Sequence, residues 1–172
     1  GGLLIMRVTA WQFGKDTDEI NRWLKHAGLE VLSEQVVDEQ NQVTLESRYK
    51  LSWTDNIAKH SITEGVRGLF YTTYYHMYAD SMSPLRVSKD WTVVVRGKKT
   101  TRSLNTVKGQ KLKTPGPGTY ASEPPMLAVR EYGKGRIAVW PINATCVWQD
   151  GYHVLWGLFS YTHLTLPTNR EV

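Results

Sequence analysis

The stretch Pro124 to Ile142, PPMLAVREYGKGRIAVWPI, constrains the fold most. Two apolar runs, Met126–Val129 and Ile137–Val139, flank Tyr132-Gly133-Lys134-Gly135-Arg136. Val, Ile and Trp favour strands because branched and aromatic side chains pack well on a pleated surface. The paired glycines supply backbone angles that residues with a Cβ resist. The segment therefore predicts a β-hairpin closed by a tight, basic turn. It specifies a piece of fold and no reaction.

Upstream, Leu3–Val8 predicts a buried strand. Asp16-Thr17-Asp18-Glu19 has the form of a capping box, an N-cap acid with Glu three positions later. Ile20, Trp23, Leu24 and Ala27 follow on one helical face, and Gly28 stands where a helix of about 17–27 would stop. Leu29–Leu32 predicts a second strand. Strand, helix, Gly and strand in this order are a β-α-β unit, which implies a parallel sheet. Alternation around Val43, Leu45 and Tyr49 suggests an extra hairpin or an excursion at the sheet edge. Trp91–Arg96 predicts another strand. Residues 97–123, rich in Lys, Thr, Gly and Pro, predict a long loop. Gly151–Phe159 could open a final helix capped by Asp150. The expected core is Leu4, Ile5, Ile20, Trp23, Leu24, Val93, Val94, Leu127, Ile137 and Val139.

At 172 residues the chain can bury a real core in one domain. No apolar run reaches the roughly 18 residues of a membrane helix. Charge is uneven. Residues 1–85 carry eight Lys/Arg against eleven Asp/Glu, whereas residues 86–136 carry twelve against three. That basic middle could meet a polyanion or simply face water. No nucleic-acid motif accompanies it, so nucleic acid is not an expected partner. One cysteine, Cys146, excludes an internal disulfide framework.

Taken in order, three motifs resemble the class I glutamine-amidotransferase-like superfamily, in its non-amidotransferase branches of the trehalose-utilisation type. Gly1-Gly2-Leu3-Leu4-Ile5, with a helix ending Leu24 to Leu29, looks like the family's first strand and helix. His60-Ser61-Ile62-Thr63-Glu64-Gly65-Val66 is similar to its His-Pro-Ile-Thr-x-Gly-Val, with Ser61 in place of Pro. Tyr132 to Val139 looks like its Tyr-Gly-Lys-Gly-Arg-Val hairpin. The resemblance implies a flavodoxin-like α/β layered sandwich over residues 1–159, with a mainly parallel sheet and the first strands lying before Gly1. Residues 160–172 resemble a translated sequencing adaptor, the mark of a truncated metagenomic reading frame, and are set aside.

Enzymes of that superfamily use a Cys in a Gly-x-Cys-x-Gly elbow, with a downstream His and Glu. Cys146 has no flanking Gly, and no His-x-Glu occurs in the chain. Cys146 therefore reads as a packing thiol, and no catalytic residue, metal ligand set or cofactor is assigned. His60 precedes a Thr-x-Gly turn, where it could serve a site or simply bond its own turn. Tyr71, Tyr74, Tyr75 and Tyr78 are dense enough that some should be exposed, either as ordinary packing or as a stacking platform for sugar rings with Trp148 and Tyr152. Trp11, His60, Tyr74, Trp148 and His153 sit beside predicted strand ends and are the expected lining of one shared cleft.

These observations lead to a non-catalytic domain serving binding or assembly in a larger bacterial protein, with a small molecule or sugar, or the protein's other domains, as partners. Two alternatives are a carbohydrate-active enzyme of the trehalose-utilisation type and polyanion binding through residues 86–136.

Overall fold

The computed structural model describes residues 3–7, 14–45, 49–73, 82–105 and 116–141, with 3–7, 14–18, 43–45, 49–50 and 72 described by backbone alone. Strand β1 (Leu3–Arg7) leads to helix α1 (Gly14–His26). Short strands β2 (Leu29–Val31) and β3 (Glu34–Val37) follow, then β4 (Gln42–Leu45), β5 (Tyr49–Thr54) and β6 (Leu69–Thr72). The second half supplies β7 (Leu85–Val87), β8 (Thr92–Arg96), β9 (Arg102–Asn105), β10 (Pro125–Tyr132) and β11 (Gly135–Trp140).

The main sheet has the order β1-β11-β10-β8, and smaller sheets pair β2 with β7, β3 with β9, and β4-β5-β6. Only β1 beside β11 is parallel among the described pairings. The expected flavodoxin-like, mainly parallel α/β sandwich is thus corrected to a β-rich fold of mostly antiparallel sheets with one described helix. The β-α-β reading found the right elements but joined them wrongly. β1 pairs with β11, while β2 pairs antiparallel with β7 in another sheet. A side chain shows why β2 gains no second neighbour at this point. The Asn21 amide donates to the Val31 carbonyl (2.8 Å) and accepts from the Val31 N–H (2.9 Å), taking the groups that an adjacent strand would use.

The hairpin forms as its sequence predicts, with Gly133 at φ +58° in the turn. Gly28 ends α1 at φ +77°, and its N–H bonds the Lys25 carbonyl. The helix begins at Gly14, two residues before Asp16, so the Asp16 capping box does not mark its start. The expected hairpin near Val43 is β4–β5. Within 97–123, the described residues 97–105 and 116–123 are more ordered than a long loop. β9 pairs with β3, and Gly118 N–H and Tyr120 C=O bond back onto Ser103.

Two apolar clusters lie on opposite faces of the main sheet. On one, Leu24 and Ala27 of α1 meet Leu29, Val31, Leu85, Trp91, Ala128, Ile137 and Val139. On the other, Val36, Leu69, Tyr71 and Met82 meet Val94, Val95, Met126, Leu127 and Val129. A register shift in β10 between Pro125 and Ala128 puts the consecutive residues Met126 and Leu127 into the same cluster. Trp23, expected in the core, is instead 50% exposed, and Val93 is half-buried. The α1 stripe is narrow enough that Leu24 and Ala27 fill it, with Ile20 partly buried alongside. The free edge of β8 is lined by residues 56–58, through Arg96 N–H to Asn56 C=O (3.0 Å) and Ala58 N–H to Val94 C=O (2.8 Å).

Candidate functional site

Of the five residues expected to share a cleft, His60 is described. Trp11, Tyr74, Trp148 and His153 lie outside the described residues, as do Tyr75, Tyr78, Cys146, Tyr152, the expected helix 151–159 and the tail 160–172. His60 works on its own turn. Its Nδ1 accepts from the Ile62 N–H (3.2 Å), and its N–H donates to Thr63 Oγ1 (3.1 Å), closing a capping box on a single 3-10 turn, Ser61–Thr63. Thr63 Oγ1 in turn donates to the Ala58 carbonyl (2.7 Å). An acceptor at Nδ1 places the proton of the neutral ring on Nε2. Gly65, at φ +78°, continues the turn. The His-Ser-Ile-Thr-Glu-Gly run therefore encodes a local turn.

A polar node was not anticipated from the sequence. Asp38, at the end of β3, is fully buried. Its carboxylate accepts from the backbone N–H groups of Gln40 and Asn41 (both 3.1 Å) and from the Asn41 side-chain amide. It also accepts from the hydroxyls of Thr100 (2.8 Å) and Thr101 (2.9 Å). Thr101 Oγ1 lies 3.3 Å from the Tyr71 hydroxyl, and Ser52 Oγ donates to the Asp38 carbonyl (3.1 Å). Burial pushes the Tyr71 phenol well above the usual tyrosine range, and the bond to Thr101 only partly opposes it. The node ties the end of β3, the 98–101 turn and the β5–β6 pair together. A signal was available: Asp38 ends a Val-Val run and precedes Asn41, a pattern in which Asp caps a turn with its own side chain.

A third cluster centres on Lys98. Its ammonium lies 3.1 Å from the centroid of the Trp53 ring and 3.7 Å from Asp55. The edge of that indole lies against Gly68, where a Cβ would come within 3.6 Å of it. Nearby, Glu123 takes φ +49° and its carboxylate accepts from Asn56 Nδ2 (3.1 Å), which also reaches the Gly97 carbonyl (3.0 Å). A non-glycine residue in this region is strained, and the Asn56 bond helps to hold it there.

Five of the twelve cations in the basic middle of the chain meet acids among the described residues. Arg86 meets Glu30 (2.7 Å), Lys98 meets Asp55 (3.7 Å) and Arg102 meets Glu39 (3.1 Å). Arg130 meets Asp90 (3.7 Å), and Arg136 meets Glu131 (3.8 Å). Glu30, Glu39 and Asp55 come from the acidic first half. Among the described residues no group of three His, Cys, Asp or Glu could hold a metal ion, and no helix is long and apolar enough to cross a membrane.

No protein-family model matches the chain, and no curated protein matches it. Among solved structures, an mmIFT52 N-terminal domain is similar, with a TM-score of 0.50 and 15% identity over 98% of this chain and 66% of that one. At that identity the likeness concerns fold alone, and this chain spans 66% of the length of that domain. The resemblance to the glutamine-amidotransferase-like superfamily is thereby corrected. Its motifs are short, and two of the three are explained by local chemistry. Tyr-Gly-Lys-Gly-Arg is what a tight basic hairpin needs, and His60 with Thr63 is a self-capped turn.

Proposed function

We propose that this chain is a binding or assembly domain of a longer protein and not a catalyst. The observation that carries this reading is a contrast in orientation. Of the chemically versatile side chains, Asp38 and Tyr71 are buried and His60 bonds its own turn, so all three are spent on the fold. Large aromatics are turned outward on three different elements: Trp23 on α1, Phe70 on β6 (40% exposed) and Tyr132 on β10 (54% exposed). Exposed aromatic anchors suit a protein partner, because they offer large contact area at small entropic cost.

The polyanion alternative draws less support, since five cations of the basic middle already face acids. The sugar-platform alternative loses Tyr71, which is buried. In-cell radical footprinting tests the proposal. At least one of Trp23, Phe70 and Tyr132 should be oxidised less in the cell than in the purified chain. Equal oxidation of all three in both settings would overturn it.

A further inference from the structure

A groove of about 440 Å³ runs along α1 beside β2. Arg22 and Lys25, three residues apart and so on one flank of the helix, line its first wall, and Glu30 and Ser33 line the second. The walls are held at a fixed spacing. Asn21, 8% exposed, clamps helix to strand through both its amide bonds to Val31. A groove whose walls cannot drift apart loses little entropy when filled.

Its charge is unbalanced. Glu30 is the one acid on the lining, and it is already shared by Lys25 (3.1 Å) and Arg86 (2.7 Å). On the lining Arg22 and Lys25 exceed it by one positive charge, and Arg86, outside the lining, adds another cation through its bond to Glu30. The Arg22 guanidinium offers a planar fork of donors, and Lys25 adds a point charge on the same wall. Because Glu30 is doubly compensated, it opposes an incoming anion less than a free carboxylate would.

We propose that this groove binds a small dianion, a phosphoryl group either free or carried by a small molecule. The Arg22 fork receives two of its oxygens, and Lys25 supplies the second charge. The site lies apart from the three exposed aromatics of the assembly reading except for Trp23, the neighbour of Arg22, so either proposal can fail without the other.

An amide-resolved NMR titration at constant low ionic strength tests it, with inorganic phosphate in one series and methyl phosphate in another. The expected result is saturable movement of the Arg22, Lys25 and Ser33 amides, weakened roughly tenfold by Arg22→Gln. Lys134→Gln, at the exposed hairpin turn, should leave the affinity unchanged, and circular dichroism should show both variants folded. Saturation by inorganic phosphate alone would assign the free ion, and saturation by methyl phosphate would assign an ester. Linear, unsaturable drift with both probes, or the same curve in Arg22→Gln, would overturn the site.

Discussion

The two faces of the main sheet are built on different physics. The α1 face is closed by aliphatic side chains, with Leu24, Leu85 and Val139 fully buried and the Trp91 indole donating to the Ala27 carbonyl at the helix end (2.7 Å). Arg130 donates to the same carbonyl, bringing a cation to the negative end of the helix. The opposite face also has an apolar cluster, but it merges through Tyr71 into the Asp38 node. Apolar contacts are non-directional and degrade by degrees as volume is lost. A buried carboxylate with its donors works only when complete, since each donor left without an acceptor costs about 1–3 kcal/mol. One face should therefore tolerate shape-conserving substitution, and the other should not.

The sharpest way to break this comparison is at Asp38. Asp38→Ala strips the acceptor from two hydroxyls, two backbone N–H groups and the Asn41 amide. Urea denaturation should show a loss of about 4 kcal/mol. Asp38→Asn should be nearly as costly, because its NH2 would face the Asn41 side-chain NH2 in either orientation, and neither can accept. A near-neutral Asn variant would mean that the node is as forgiving as the other face.

Leu24→Ala, on the α1 face, should cost about 3 kcal/mol, whereas Leu24→Met should cost less than about 1.5 kcal/mol. If Met were as damaging as Ala, that face too would depend on exact shape.

Alkali separates the faces in another way. The unfolded Tyr71 phenol gives up its proton near pH 10, while the folded one, held by burial, keeps it. Stability from this group is constant below that pH and falls as pH rises above it. Thermal melts from about pH 8 to about pH 12 should show the decline, and Tyr71→Phe should make it shallower, with Tyr120, whose phenol burial also raises, supplying part of the rest. An unchanged slope in Tyr71→Phe would remove the phenol from the account.

The smallest effect is expected at the rim of the α1 face. Trp23→Ala should shift stability by less than about 0.5 kcal/mol, measured by urea titration, because half of the side chain already faces water. A larger loss would place the indole in the packing after all.

Local structure was legible in the sequence, and partnership was not. Gly133 and Gly135 between two apolar runs specify a hairpin because turn and strand chemistry lie within a few residues. The helical face of Leu24 and Ala27 and the Gly28 stop are equally local. Which strand β1 or β2 would pair with depends on residues more than fifty positions away, and nothing in LLIMR or LEV encodes Trp140 or Leu85 as a partner. Periodicity also missed Trp23, since an i, i+3, i+4 stripe does not show how wide a face the neighbouring sheet will cover. Of the candidate site, His60 bonds its own turn, one of the two roles that its sequence left open. The Asp38 node was hidden because its members come from four separate segments.

The strip of chain at 56–58 has a consequence for behaviour at high concentration. Thr92–Arg96 is short and rich in Val, with Arg96 its one charge, the kind of strand that recruits copies of itself when its backbone is open. Asn56 and Ala58 occupy that backbone from within the molecule. Colloidal stability at this edge is thus an intramolecular property: it survives as long as the connector between β5 and β6 stays zipped, and a partial opening there would expose an adhesive seam well before the core melted.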